Sequence, residues 1–410
     1  MTGFIYNIGI YLYNAALCLA SPFHAKAKLL REGRKAAGIC IRNFKREGNV
    51  RYVWFHAASL GEFEQGRPVI EELKKKDPSV RILLTFFSPS GYEVRKNYKG
   101  ADIIIYLPSD TVSNVRAFLD AFRPDAAVIV KYEYWYNYLT ELKRRAIPVY
   151  LISAIFLPSQ PFFKWWGGLY REMLDCFTRI FVQDEPSGKL LEGLGVHHFT
   201  VSGDTRFDRV ASIAAAAETI PQVEKFLGGR SAVVCGSTWP PDEKNLLDFI
   251  NRDRHNVKWI IAPHETKPSR IKEILSLTDR KTACFSENRE DIAECDVLVI
   301  DCIGLLSSIY RYAGISYIGG GFGVGIHNTL EAAVYGIPVI FGPNHKRFRE
   351  ALGLLDCGGG FTYTAPEELD KILEKMLDDE NSRQTAGAAA DRYVKSQLGA
   401  TELIIKRLVP

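Results

Sequence analysis

The sequence lacks paired cysteines. Cys18, Cys40, Cys176, Cys235, Cys284, Cys295, Cys302 and Cys357 contain no CxxC, and most fall in apolar runs. They read as reduced, buried thiols rather than a disulfide frame or a zinc site. There is no GxxxxGK[ST] phosphate loop and no HExxH, since His264-Glu265 is followed by Thr-Lys-Pro. The glycine run Gly319–Gly325 does not match GxGxxG. No tandem repeat or low-complexity stretch is present. Neither sign of charge dominates: 52 basic against 48 acidic side chains leave a net +4, too mild for a nucleic-acid binder. With 47% hydrophobic and 24% charged residues, the composition is ordinary globular and excludes disorder or coiled coil as the main architecture. A length of 410 residues suits two domains, at most three.

What is present is uneven. Phe4–Phe23 carries no charge, and the next stretch holds Lys26, Lys28, Arg31, Arg34, Lys35, Arg42, Lys45, Arg46 and Arg51 against only Glu32 and Glu47. A signal peptide would place the positive charge first. The length is near the roughly 20 residues of a membrane span, but Tyr6, Asn7, Tyr11, Tyr13 and Asn14 make the run polar for one. An interfacial anchor with a basic flank on anionic head groups suits it better. The alternative is a Tyr-rich helix packed on the protein body.

The remainder alternates short apolar runs with helical patterns. Strands are expected at Tyr52–His56, Arg81–Phe87, Asp102–Tyr106, Ala126–Val130, Val149–Ile152, Arg179–Val182 and Phe199–Ser202, then at Ala232–Cys235, Trp259–Ala262, Val297–Ile300, Ser316–Ile318 and Val339–Phe341. Fully apolar strands separated by helices predict parallel sheets covered on both faces. A break is expected around Arg209–Gly229, giving an anchor (1–24), a first Rossmann-like domain (25–208) and a second (209–410), whose last helix can pack back on the first. Ligands of such sheets bind at the C-terminal strand ends, here in the expected central cleft.

Five segments stand at such ends. Glu62, in His56–Phe63, is either a general base for a substrate hydroxyl or the acidic partner of a helix N-terminus. Glu133 sits among aromatics in Lys131–Asn137, where burial would raise its proton affinity unless Lys131 compensates. Asn328 and Glu331 follow the glycine run and suit either an N-cap pair or contacts to a phosphate and a ribose. Ser237 and Thr238 precede Pro240-Pro241, as phosphate ligands or a plain cap. His264 closes another strand.

Together these segments resemble one family, the Kdo (3-deoxy-D-manno-octulosonic acid) transferases of lipopolysaccharide assembly. The resemblance rests on HAASLGE (His56–Glu62), TFFSPSGYE (Thr85–Glu93), EYWYN (Glu133–Asn137), GDTRFD (Gly203–Asp208), GSTW (Gly236–Trp239), IIAPHE (Ile260–Glu265) and HNTLEAAVYGIPVIFGPN (His327–Asn344). It implies an α/β chain of GT-B type: two Rossmann-like domains and an N-terminal membrane-associated helix. It implies an inverting, metal-independent glycosyltransferase without cofactor, moving Kdo from CMP-Kdo to a lipid A precursor at the cytoplasmic face of the bacterial inner membrane, with anionic lipid and no nucleic acid as further partners. Glu62 then matches the general base and Glu133 a second essential acid. Arg206, Ser237, Thr238, His264, Ile303, Gly304, His327, Asn328 and Glu331 match the donor side. The family's RHPER is changed to His264-Glu265-Thr266-Lys267-Pro268, so Lys267 or Arg270 stands in as the clamp for the sugar carboxylate. A GT-B enzyme using a UDP-sugar, and a non-catalytic membrane-bound nucleotide-sugar binder, are the competing readings.

Overall fold

A computed structural model describes residues 2–408 except Val324. The chain forms two compact units, one of the residues up to Arg209 together with those from Leu398 onward, the other Val210–Gln397.

The first unit is a parallel sheet of seven strands: β1 (Tyr52–Ala57), β2 (Arg81–Phe86), β3 (Ile103–Tyr106), β4 (Ala126–Val130), β5 (Val149–Ala154), β6 (Arg179–Val182) and β7 (Phe199–Val201). Their order is β3-β2-β1-β4-β5-β6-β7. Alternate residues of β1 explain the two covered faces: Trp54 packs with Phe118 and Tyr138 on one side, Val53 and Phe55 with Phe63 and Val128 on the other. The order reverses between β1 and β4, the switch point at which open α/β sheets place ligands.

The second unit holds β8 (Ala232–Thr238), β9 (Lys258–Pro263), β10 (Thr282–Cys284), β11 (Val297–Val299), β12 (Ala313–Ile318), β13 (Val339–Phe341) and β14 (Gly360–Thr362), in the order β10-β11-β9-β8-β12-β13-β14. Its switch point lies between β8 and β12. The second unit stops at Gln397, because Leu398 onward belongs to the first unit. The physical reason is a remote cap: the Asp208 carboxylate accepts from Gly399 N and Thr401 N, both at 2.7 Å, at the start of the helix Ala400–Leu408. Its buried Ile404, Ile405 and Leu408 join the core of the first sheet.

Two helices precede β1: α1 (Thr2–Ala20) and α2 (Ala25–Asn43). α1 is long and apolar enough to cross a membrane. Its polar residues recur two turns apart, at Tyr6-Asn7 and Tyr13-Asn14, so they form one stripe, and that stripe docks on the body. Tyr6 Oη donates to Asp110 (2.6 Å), Asn137 Nδ2 donates to Asn7 (2.8 Å), and Ser109 Oγ donates to Asn14 (2.6 Å). The other face leaves Phe4, Ile5, Ile8, Tyr11, Leu12 and Leu19 exposed. The packed-helix reading holds for the polar face, and the apolar face is exposed.

Candidate active site

In the first unit the segments after β1 and β4 meet the sheet's switch point. Ser59 is the N-cap of α3 (Leu60–Lys76), and Glu62 is its N3 residue. Glu62 Oε2 accepts from Ser59 N (2.9 Å) and Ser59 Oγ (3.2 Å), half of a capping box. Capping alone would lower the proton affinity of this carboxyl. Burial, followed by the negative charge of Glu133, outweighs the Ser59 bonds and the pull of His56, so the Glu62 pKa is raised. A carboxylate in that state is a better base than a solvated one. Pro68 is accommodated inside α3, not in its first turn.

Glu133 follows Lys131, which sits at φ 60° in the left-handed region. That conformation is strained for a residue that carries a Cβ, such as lysine, and re-aims the chain as it leaves β4. Glu133 Oε2 accepts from Trp135 Nε1 (2.7 Å) and meets His56 Nε2 (3.0 Å). His56 is fully buried near the end of β1. Its Nδ1 lies 2.8 Å from Thr85 Oγ1, which also accepts from Trp54 Nε1 (2.8 Å). Asn137 serves the scaffold: its N and that of Tyr138 donate to Asp110, each at 3.0 Å. Burial pushes the Asp110 pKa up to about 6 against these bonds and that of Tyr6. Arg206 belongs to this unit, where its Nε and Nη2 bind Asp204 (2.8 and 2.7 Å).

In the second unit Ser237, next to the last residue of β8, sits at φ 51°, again left-handed. Thr238 is buried, and its hydroxyl donates to Glu243 (2.8 Å), so its proton does not face a ligand. Glu243 is in turn paired with Arg270, which also binds Glu273. Arg270 is therefore committed to a buried ion pair and does not supply a free carboxylate clamp. Lys267 is exposed beside Glu265 at 3.4 Å. Buried Asp242 organises the loops: Oδ2 accepts from Trp239 N and Gly320 N, both at 2.9 Å, and Oδ1 from Tyr317 Oη (2.7 Å). At Gly319 a Cβ would stand 2.3 Å from Ser237 O, so only glycine lets the two loops touch.

Trp239, His264 and His327 form a stack, with His264 centred 4.5 Å from each neighbour. Burial, with the nearby His264, lowers the His327 pKa to about 4. Its Nε2 accepts from Trp239 Nε1 (2.9 Å), which places the ring proton on Nδ1. Asn328 Nδ2 donates to Glu331 (3.0 Å) and Asn328 Oδ1 accepts from Leu330 N (3.2 Å). The helix that follows is only Leu330–Ala333, a single turn. It is too short for the aligned dipole on which the phosphate expectation leaned. Ile303 and Gly304 lie on the loop after β11, with Ile303 89% exposed. Among the described residues neither bonds to the stack. A cavity of about 270 Å³ opens beside Trp239, Pro241, Phe322 and Gly323. Among the described residues no group of three or more His, Cys, Asp or Glu is placed to hold a metal ion.

Sequence reasoning passed over His56, Thr85, Trp135, Trp239 and Asp242 as site residues. The available signals were a histidine inside an apolar strand and an acid two residues after Pro240.

Residues 31–209 match the 3-deoxy-D-manno-octulosonic-acid transferase (kdotransferase) family. The 3-deoxy-D-manno-octulosonic acid transferase of Rickettsia bellii is 28% identical over 349 residues, covering 83% of this chain and 82% of the relative. That of Aquifex aeolicus is 27% identical, covering 83% and 92%. The chain is similar to the Kdo transferases over most of its length. It is a transferase, and each of its units carries side-chain clusters at the switch point of its sheet. Among solved structures, UDP-GlcNAc 2-epimerase from Neisseria meningitidis has the same fold (TM-score 0.63, 16% identity, covering 87% of this chain and 99% of that one). So does MurG from Acinetobacter baumannii (TM-score 0.54, 13% identity, covering 87% and 98%). At these identities the likeness concerns architecture alone.

Proposed function

We propose that this transferase moves Kdo from CMP-Kdo to a hydroxyl of a lipid A precursor, with inversion and without a metal or cofactor. The observation that carries the reading is the Glu62–Glu133 pair at the β1/β4 switch point, where burial and then the neighbouring Glu133 charge raise the proton affinity of Glu62. Glu62 takes the hydroxyl proton as the acceptor oxygen bonds to the anomeric carbon. The bond from that carbon to the CMP phosphate oxygen breaks, and its electron pair leaves with CMP. A base in this position is worth roughly 10²–10⁴-fold.

The second unit is assigned the donor. Ser237, the Gly319–Gly323 backbone, His264, His327, Asn328 and Glu331 stand along the strand ends around β8 and β12. Backbone amides and imidazole N–H groups suit developing phosphate charge. Arg206, Ile303 and Gly304 are assigned to the donor by family resemblance alone. The membrane assignment has two supports: the exposed apolar face of α1, and α2 beside it with Lys26, Lys28, Arg31, Lys35 and Arg42. A lipid acceptor requires the enzyme at that interface, on the cytoplasmic face of the inner membrane.

Mass analysis of lipid product after incubation with CMP-Kdo and the tetra-acylated precursor tests the proposal. A mass increase of one or more Kdo residues is expected from the wild type and none from Glu62→Gln. Full turnover by Glu62→Gln rejects the base. Thermal stabilisation by UDP but not by CMP would favour a UDP-sugar enzyme, and nucleotide binding without any product would favour a non-catalytic binder.

A further inference from the structure

A histidine inside the apolar strand Tyr52–Ala57 has to account for two polar nitrogens in a place without water. Leaving either unpaired costs about 1–3 kcal/mol. Both are paired. The indole of Trp54 is donor-only and gives its N–H to Thr85 Oγ1 at 2.8 Å. The threonine hydroxyl proton then has two acceptors in reach, His56 Nδ1 at 2.8 Å and Phe55 O at 3.4 Å. His56 Nδ1 also lies 3.2 Å from the Thr85 carbonyl oxygen; the Glu133 carboxylate can only accept, so Nε2 carries a proton aimed at Oε2. The register places His56 directly opposite Thr85 on β2, so the sheet itself sets this alignment. Trp135 Nε1 supplies a second donor to the same carboxylate oxygen. Two donors from different segments, one rooted in β1 and one in the loop after β4, stop the carboxylate from rotating.

We propose that His56 is a positioning residue for the transfer reaction: through the chain Trp54–Thr85–His56 it fixes the Glu133 carboxylate beside Glu62. The inference rests on the assignment of Glu62 and Glu133 to catalysis. It gives the buried ring a task that packing alone does not require. One oxygen of Glu133 is held by His56 and Trp135, and Oε1, which bonds to none of the described residues, is left toward the reaction. A carboxylate displaced by about 1 Å can lose on the order of 100-fold in rate.

The test compares His56→Gln with His56→Asn in the full-length enzyme, using CMP-Kdo and the tetra-acylated precursor. The Gln amide reaches the position of Nε2 and can still donate to Glu133, whereas Asn stops short by one methylene. His56→Asn is expected to lower kcat by about 100-fold with the donor KM unchanged. His56→Gln should recover to within about tenfold of wild type, the worth of one retained hydrogen bond. Equal losses in the two variants would reduce His56 to a packing residue, and wild-type kcat in His56→Asn would overturn the proposal. If His56→Asn fails to fold, Thr85→Val decides, because it keeps the ring but frees its orientation: an unchanged kcat sinks the idea, a fall with constant donor KM supports it. Glu62→Gln is run in parallel. Full activity there rejects the base assignment, whereas the Gln-over-Asn order reports on His56 separately.

Discussion

Asp242 offers a sharp test of how the second unit builds its loops. Its carboxylate is buried and accepts from Trp239 N, Gly320 N and Tyr317 Oη. Burial raises its pKa despite those bonds, so the charge itself is held at a cost and the acceptor geometry is what stabilises. Two substitutions separate the terms. Asp242→Ala orphans two backbone N–H groups, each worth about 1–3 kcal/mol when buried and unpaired, so a loss of about 2–6 kcal/mol is expected. Asp242→Asn removes the charge but keeps the shape. With its amide oxygen toward Trp239 N and Gly320 N, its NH2 donates to Tyr317 Oη. Tyr317 can then donate to Tyr363 Oη, 2.8 Å away. Every partner stays satisfied, and a loss under about 1 kcal/mol follows. Urea unfolding followed by tryptophan fluorescence reads both variants, since Trp239 is itself held by Asp242. If Asn is as damaging as Ala, charge rather than hydrogen bonding holds the loops. If Ala costs less than about 1 kcal/mol, Asp242 does not clamp them at all.

Glu133→Gln removes a negative charge that raises the Glu62 pKa. In its proposed role as base Glu62 acts ionised, so activity falls as pH drops through its pKa, and the acid limb of kcat/KM should move to lower pH in the variant. An unmoved or upward-shifted limb in a pH–rate profile refutes the coupling. Leu12→Glu, on the exposed face of α1, should weaken binding to phosphatidylglycerol-containing vesicles by about 10-fold or more, from roughly 1.5–3 kcal/mol of lost apolar burial. Co-sedimentation measures it, and the thermal midpoint should not change. Ser237→Gly relieves a left-handed serine and should stabilise the protein by about 0.5–1 kcal/mol, while CMP binding by calorimetry weakens as the loop loosens.

The strands were legible because they are apolar throughout. Twelve runs were marked, and all coincide with strands of the structure to within three residues at either end. The two missed, Thr282–Cys284 and Gly360–Thr362, have three residues each and carry threonine, cysteine or glycine, too little for a periodicity signal. Glu62 and Glu133 were legible because polar residues after buried strands stand out. Their connection through His56 and Thr85 was not, because it depends on which strands are neighbours. β1 lies between β2 and β4, and no local pattern states that. Arg270 misled for the opposite reason. A cation four positions beyond Thr266 looks available in sequence, but a buried carboxylate at Glu243 already holds it.

The same reasoning changes what α1 does. Tyr6, Asn7 and Asn14 made the helix too polar to be an ordinary span, and these residues bind Asp110, Asn137 and Ser109. Asp110 also receives the amides of Asn137 and Tyr138, which continue the segment that begins at Glu133. One buried carboxylate therefore ties the apolar helix to the segment that carries Glu133. Burial raises the Asp110 pKa to about 6. With the folded value above the unfolded one, its contribution to stability is greatest below the unfolded value near 3.8 and is lost as pH rises through about 6. α1 is thus part of the first unit's fold on one face and apolar and exposed on the other, and cutting it away would disturb the Glu133 loop as well as remove the proposed lipid-facing surface.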